Sequence, residues 1–505
     1  MSHRLPQTRV PVSLRRLFPH ASFVGCADIC VSGATERSDQ CDLGMLFAAI
    51  PGTRVDGCEF AQQVVTQGAS SLLVERPLSD VSVPQCVVPN VRKAYAELCA
   101  ELAGRPSSRL KVFGVTGTNG KTTVAWLIRS ILETAGQRVG LLGTIEYSDG
   151  FVVEPARMTT PDSKTFSERL EAMLHRGTEH VAVELSSHAL DQDRCAGTLL
   201  NAAVITNITH DHFDYHKNFE AYRASKARIL ENCKRNAVVV LNADDPASAS
   251  LREKVDSSLN LLTYALNGPA DVSAEVFEET RSGSRFKLSI GDDTIEVFSP
   301  LVGRHNVSNC LAAAAVTSFA GLPLYAVAAG IETLSSVPGR LQQIEHGQPF
   351  EVFVDYAHTD DALRRSINCL RNLTTGRVIC VFGAGGDRDR SKRPLLGRAG
   401  AEADLTIVTS DNPRTEDPTR IIQDILSGFE ETGQEPYIKV DRAEAINWAL
   451  QRADPGDCVL IAGKGHEKEQ IVGTRRIPFD DCVVARQALF RRDQSPVETR
   501  PRMRA

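Results

Sequence analysis

The sequence predicts an α/β protein of three domains built on mostly parallel sheets, on three observations. Short β-rich runs alternate with helical stretches along the whole chain, the pattern of parallel strands joined by crossover helices. Many of these runs end on Gly, Asp, Asn, His or Ser, where strands of an open sheet feed ligand-binding loops. The 505 residues suffice for roughly three domains at about 150 residues each.

Taken in order, the first block carries "MLFAAIPG", "SSLLVER" and "QCVVP" and ends near "GRPSSRL" at 104–110. The second opens with "KVFGV", continues through "RVGLLGT", "HVAVELSSHAL", "NAAVITNI" and "NAVVVLNADD", and closes near "SSVPGRLQQ" at 335–343. The third holds "FEVFVDYAH", "RVICVFGAGG", "DLTIVTSDNPR" and "CVLIAGKGHE". The expected domains are therefore 1–108, 109–337 and 338–505, the last of them Rossmann-like.

Composition narrows the function classes. Hydrophobic residues make up 42% and charged residues 24%, ordinary values for a globular protein in water. A net charge of -6 argues against nonspecific nucleic-acid binding. The stretch "MSHRLPQTRVPVSLRRLFPH" has arginines but no apolar core of signal-peptide length, and no apolar run of about 18 residues occurs. A cytoplasmic chain with no membrane partner is expected. The 13 cysteines are odd in number and scattered, so they read as reduced thiols. Cys26 and Cys30 in "CADIC" have the spacing of half a metal site, but no second Cys/His pair at matching spacing accompanies them, so no metal is expected there. The tail "RRDQSPVETRPRMRA" is polar and reads as loose.

The strongest local signal is "GVTGTNGKTT" at 114–123. A phosphate loop reads G-x-x-x-x-G-K-[ST], but the position of the first glycine is Val115; the glycines are Gly114, Gly117 and Gly120. "LKVFGV" before it reads as a buried strand. "TTVAWLIRSILETAG" after it spaces Val124, Leu127, Ile128, Ile131 and Leu132 as a helix. Strand, glycine loop and helix N-terminus are what a phosphate cradle requires. Lys121 would reach the outer phosphates and the Thr122 hydroxyl could ligate Mg²⁺.

"TGTNGKTT" resembles the ATP loop of the Mur ligase and folylpolyglutamate synthase superfamily. The resemblance runs along nearly the whole chain through "FAAIPGTRVDG", "MTTPD", "VELSSHALDQDR", "TNITHDHFDYH", "YRASKARIL", "VDYAHTDDAL", "GAGGDRDRSKRP", "DNPRTEDP" and "AGKGHE". It implies an ADP-forming acid–amino-acid ligase of peptidoglycan precursor synthesis. Such an enzyme adds meso-2,6-diaminopimelate to UDP-N-acetylmuramoyl-L-alanyl-D-glutamate through an acyl phosphate. Two rivals remain: another ligase of the superfamily, such as one adding L-lysine, and a phosphate-loop nucleotide switch.

The resemblance also assigns roles. ATP falls to Gly117, Thr118, Asn119, Gly120, Lys121, Thr122 and Thr123, with Asn306, Arg340, Asp355 and His358 closing over it from the far side. Mg²⁺ falls to Thr122, Glu184, His212 and Lys226; catalysis falls to Lys121, Glu184, His212 and Lys226. Read as bare residues, Glu184 and His212 suit Mg²⁺ beside Thr122; the alternative readings are a helix cap or salt bridge for Glu184 and a hydrogen-bonded structural histidine for His212. Lys226 reads as an exposed helical lysine; the resemblance makes it a CO₂-carboxylated one. Thr159, Thr160, Ser186, Gln192 and Arg194 fall to the UDP-muramoyl dipeptide between the first two blocks, with "PGTRVDG" (51–57) on the uridine. Arg388, Asp411, Asn412, Pro413, Arg414, Gly463 and Glu467 fall to diaminopimelate, the Arg414 fork suiting a carboxylate and Glu467 an ammonium. Two departures stand out: "TERSDQ" replaces the usual Asp-Ser-Arg, and Asp360 replaces a proline, for which a local loop change is expected. A monomer is expected.

Overall fold

The computed structural model describes residues 10–52, 55–209, 211–430 and 432–494. Every run quoted above as a strand forms one. In the first block Leu46–Ala48, Ser71–Val74 and Gln85–Val87 lie in a five-stranded sheet, flanked by Ala34–Thr35 and the antiparallel Ser22–Val24. The helix Val91–Leu102 covers it, its N-terminus capped by Asn90 and its apolar face of Val91, Ala94, Tyr95 and Leu98 buried.

The central sheet is ordered Val139–Leu142, His180–Glu184, Lys111–Thr116, Leu200–Ile205, Cys233–Asn242, Asn260–Ala265, all neighbours parallel. Their near-continuous Val, Ala, Ile and Leu content is that of strands buried on both faces. A hairpin of Glu146–Ser148 and Val153–Pro155 extends one edge, and Val272–Thr280, Gly283–Ile290 and Asp293–Ser299 follow in order at the other. The strand Lys111–Thr116 sits mid-sheet. From it the chain passes to Val139–Leu142 on one side, and from His180–Glu184 it later crosses to Leu200–Ile205 on the other, so its carboxyl end is a topological switch point.

The third block forms a six-stranded sheet ordered Gln342–Gln343, Glu351–Asp355, Cys458–Ala462, Val378–Phe382, Leu405–Val408, Tyr437–Ile438, parallel except for the first pair. Apolar clusters cover both faces, one under Asp360–Leu373, Lys392–Gly400 and Pro418–Leu426, the other under Arg442–Arg452 and Asp481–Gln494. Asp360, the departure from proline, opens the first of these helices. Thr359 caps it and Asp360 and Asp361 fill its first turn, where carboxylates suit the helix dipole.

The chain divides into two compact units. The first runs to Ser273 and takes in Ser289–Thr294 and Asn309–Gly330; the second comprises Ala274–Leu288, Ile295–Ser308 and Ile331 onward. Among the described residues no helix is long and apolar enough to cross a membrane. All 13 cysteines are free thiols, and no three His, Cys, Asp or Glu side chains converge as a metal cluster among the described residues. The tail beyond 494, and Thr53 and Arg54 of the expected uridine loop, lie outside the described residues.

Candidate active site

The shifted glycine has a local cause. Val115 is inside the strand and fully buried, so the turn begins two residues later. Gly117 (φ 148°) and Gly120 (φ 87°) take up left-handed angles. Space forbids a side chain at both: a Cβ on Gly117 would lie 1.9 Å from Thr206 Oγ1, and one on Gly120 2.5 Å from Asn309 Oδ1. The loop is tied down from the neighbouring strand end. Asn207 Oδ1 accepts from the Asn119 amide at 2.9 Å, and Thr206 Oγ1 donates to Asn119 O at 2.6 Å. The helix Lys121–Thr134 then starts with Val124, Leu127, Ile128, Ile131 and Leu132 all buried, as their spacing predicts. Lys121 folds back over the loop and donates to Gly117 O at 2.9 Å and Thr118 O at 3.0 Å. Thr122 and Thr123 are buried in the first turn.

Glu184 ends its strand fully buried. Among the described residues neither a helix cap nor a salt bridge holds it. Thr122 Oγ1 and Thr144 Oγ1 each donate to Oε2 at 2.8 Å, and the Thr144 amide donates to Oε1 at 2.8 Å. Thr144 was not singled out from sequence; its signal is the same strand-then-Gly-Thr ending, in "RVGLLGT". Gly143 is required beside it, because a Cβ there would lie 2.4 Å from Glu184 Oε1. A buried carboxylate touching the phosphate-loop hydroxyl is an oxygen pair of the kind Mg²⁺ takes alongside substrate phosphates.

Lys226 corrects its bare sequence reading: it is 1% exposed, not a surface lysine. The helix Phe219–Ala227 turns Tyr222, Ser225 and Lys226 inward. Its Nζ donates to Gly117 O at 2.7 Å and lies 4.5 Å from the Tyr222 ring centre. Burial, and then the charge of Lys121, push its ammonium well below the ordinary lysine value. The Tyr222 hydroxyl lies 3.1 Å from Thr118 Oγ1, a second tie from this helix to the loop. His212 takes a left-handed φ of 53°, uncommon for a residue with a Cβ. Its ring packs 4.9 Å from His188 and 6.3 Å from Tyr222, with Nε2 3.4 Å from Asp211. Thr122 and Glu184 are thus in direct contact, while His212 and Lys226 gather around Tyr222.

The expected dipeptide residues form one network at the end of the same strand. Thr160 Oγ1 donates to Glu184 O at 2.8 Å and accepts from the Ser186 amide at 3.0 Å. Arg194 donates to Gln192 Oε1 at 2.8 Å and to Thr160 O at 3.2 Å, and Thr159 Oγ1 lies 3.1 Å from Thr144 Oγ1. Thr160 is 1% exposed and Ser186 caps the helix Ser187–Asp191, so these two hydroxyls serve the backbone first. "TERSDQ" reaches this network through Glu36. Burial and then Asp162 raise its carboxyl, while Arg92 and Arg194 oppose the shift.

In the second unit, Asp355 receives Leu341 N at 2.6 Å, Ala357 N at 2.9 Å and Ser366 Oγ at 3.2 Å, so it shapes the chain around Arg340. The Arg340 guanidinium lies 4.8 Å from the Tyr356 ring centre, Asn306 Nδ2 donates to Val302 O at 2.8 Å, and His358 Nδ1 lies 2.8 Å from Tyr356 O.

The residues expected to bind the incoming amino acid come from three strand ends of this unit: 383–388, 409–414 and 463–467. Arg414 has φ 51° and is strapped by its amide to Ile471 O at 3.0 Å and by Nη1 to Gly386 O at 2.7 Å. Arg388 is its neighbour. Burial and then the Arg388 charge lower the Arg414 pKa, the mark of two cations sharing a site. Asn412 Nδ2 donates to Glu467 Oε2 at 2.8 Å. Gly463 (φ 111°) leaves room for Asp411, whose Oδ2 would lie 2.7 Å from a Cβ. Beneath Pro413 and Arg414, Glu416 ties two loops together. It accepts from Asp387 N at 2.6 Å, Arg390 Nη2 at 2.7 Å, and Arg393 Nη2 at 2.8 Å and Nη1 at 3.0 Å. Nothing in the sequence marked Glu416 or Arg393, because both act through other residues.

Known proteins share this arrangement. Family matches described as "Mur ligase family, catalytic domain", "Mur ligase middle domain" and "Mur ligase, glutamate ligase domain" cover residues 32–105, 115–317 and 339–465. The chain is 42% identical to the UDP-N-acetylmuramoyl-L-alanyl-D-glutamate–2,6-diaminopimelate ligase of Geobacillus thermodenitrificans (strain NG80-2), over 89% of this chain and 93% of that one. It is 43% identical to the protein of the same name from Gloeobacter violaceus (strain ATCC 29082 / PCC 7421), over 92% and 95%. A solved structure of a ligase with this name superposes with a TM-score of 0.69 at 32% identity, over 96% of this chain and 100% of the other. The MurF ligase of Thermotoga maritima in complex with ADP shares the fold at 21% identity, with a TM-score of 0.58 over 91% and 96%. With a glycine-gated phosphate loop, a threonine-held carboxylate and matches along nearly all its length, the chain belongs to the Mur ligase family.

Proposed function

We propose that the protein is an ATP-dependent amide ligase that joins meso-2,6-diaminopimelate to UDP-N-acetylmuramoyl-L-alanyl-D-glutamate in peptidoglycan precursor synthesis. It acts as a cytoplasmic monomer with domains at 1–108, 109–337 and 338–505. The carrying observation is the charge pattern of the amino-acid pocket: two neighbouring guanidiniums, Arg388 and Arg414, share a pocket with the Glu467 carboxylate. A diamino diacid presents ammonium and carboxylate groups to match both signs.

The reaction has two steps. The γ-glutamyl carboxylate oxygen attacks the γ-phosphorus of ATP, the bond to the β-phosphate oxygen breaks, and ADP leaves. The amine of diaminopimelate, having lost its proton, attacks the acyl carbon, and phosphate leaves with the bonding electrons. Both steps crowd anions. The 117–123 loop cradles the phosphates with backbone amides and Lys121 supplies a cation. Mg²⁺, held by Thr122, Glu184, His212 and carboxylated Lys226, would screen the phosphate charge. The low-pKa amine of Lys226 suits carboxylation, since the unprotonated amine attacks CO₂ and releases a proton. Thr159, Gln192 and Arg194 orient the nucleotide-sugar peptide. Asn306, Arg340, Asp355 and His358 are assigned to ATP as well. The test is ADP release with both UDP-muramoyl dipeptide and amino acid varied. Release that needs both, with meso-diaminopimelate far better than L-lysine, is expected. Equal use of lysine overturns the amino-acid assignment, and release independent of any amino acid overturns the ligase.

A further inference from the structure

Lys464 lies in the loop after the strand Cys458–Ala462 and is 0% exposed. Its ammonium donates to Asn412 Oδ1 at 3.1 Å, Glu467 Oε2 at 2.9 Å and Glu469 O at 2.7 Å. An ammonium has three donors and no acceptor, so its capacity is filled. Those bonds pin three segments to one cation: the loop 409–414, the loop 463–467 and the hairpin strand Glu469–Val472. Around them, Asn412 Nδ2 donates to the same Glu467 oxygen at 2.8 Å, and the Ile471 amide donates to Asn412 Oδ1 at 2.9 Å. Glu467 Oε2 therefore takes two donors at defined angles. Its other oxygen, Oε1, accepts no hydrogen bond among the described residues, and the side chain is 32% exposed.

We infer that Lys464 is a positioning residue for the incoming amino acid: it locks one oxygen of Glu467 so that the other meets the substrate ammonium in a single orientation. Its ion pair is built before substrate arrives and its partners lie in the loops 409–414 and 463–467, so its effect falls on amino-acid binding. The inference rests on the amino-acid reading of this pocket.

A double-mutant cycle in the full-length enzyme tests it, with KM measured for meso-diaminopimelate, ATP and UDP-muramoyl dipeptide, and melting temperature as the fold control. Lys464→Met is expected to raise KM for diaminopimelate about tenfold or more, leaving the other two KM values within about twofold. Because Lys464 acts through Glu467, Lys464→Met/Glu467→Gln is expected to be no worse than the poorer single variant; a purely structural lysine would give effects that multiply. Should the Met variant fail to fold, Lys464→Gln, which keeps a donor but not the charge, is read on the same criteria. An unchanged KM in a folded Lys464 variant, or multiplying effects, overturns the proposal. If Glu467→Gln alone leaves KM for diaminopimelate unchanged, the pocket reading falls instead.

Discussion

Lys226 and Lys464 are both fully buried, one beside the phosphate loop and the other in the amino-acid pocket, and they differ in what holds them. Lys226 donates to the Gly117 carbonyl and lies over the Tyr222 ring. Lys464 is bonded to the Glu467 carboxylate and the Asn412 amide oxygen. A carbonyl dipole and a ring face compensate an ammonium poorly in a low dielectric, so burial, and then the Lys121 charge, push the Lys226 amine well below the ordinary lysine value, towards its nucleophilic form. An ion pair with full hydrogen bonding makes a strut. The same residue type is thus a reactive group in one region and a support in the other, and the partner decides which.

The comparison can be broken from the phosphate-loop side first. Lys121→Ala is expected to lose ATP-dependent ligation by about 10²–10³-fold or more while circular dichroism and melting remain as in the wild type; near-normal turnover in a folded variant removes the phosphate-loop reading. Lys226→Ala should be nearly inactive and partly recover when short carboxylic acids are added, since a free carboxylate can take the place of the carbamate. Full activity without any addition would make Lys226 inert and erase its contrast with Lys464.

On the pocket side the effects are smaller. Arg414→Ala should cost about 10–100-fold in kcat/KM for meso-diaminopimelate, the worth of a hydrogen bond to a charged group, with little change for L-lysine. A preserved preference would show that Arg414 does not read the second carboxylate. The smallest effect concerns acid. Arg393 first, with the Asp387 amide and Arg390, holds the Glu416 carboxyl down from the ordinary 4.5 to about 2. A depressed carboxyl adds stability that is complete above the unfolded value and fades as pH falls from about 4.5 towards about 2. Melting temperature followed through that window should fall less steeply in Glu416→Gln than in wild type, and identical slopes would remove Glu416 from the pocket's support.

The phosphate loop was legible because it is contiguous. One decapeptide holds the strand end, the glycines and the helix start, and apolar spacing alone places the buried face of the helix Lys121–Thr134. The strands were legible for the same reason: a run buried on both faces carries its signal in adjacent residues. The pocket is different, since its residues lie at the ends of three strands separated by crossover helices. Asp411, Asn412 and Glu467 were reached by resemblance; Glu416, Arg393, Thr144 and Lys464 were not reached at all, because they contact side chains 23 to 52 positions away.

The sequence by itself determined the strand and helix order, the phosphate loop with its displaced glycine, and the positions of polar residues at strand ends, since each follows from neighbours along the chain. Only the tertiary structure decided burial and partnership. Lys226 sits on a helix whose mean polarity resembles a surface helix, yet packing turns it towards Gly117 and strips it of water. Glu184 could have capped a helix, but the fold delivered two threonines to it. Protonation and orientation depend on dielectric and on donors a few ångströms away, and those are set by which strand ends the sheet brings together.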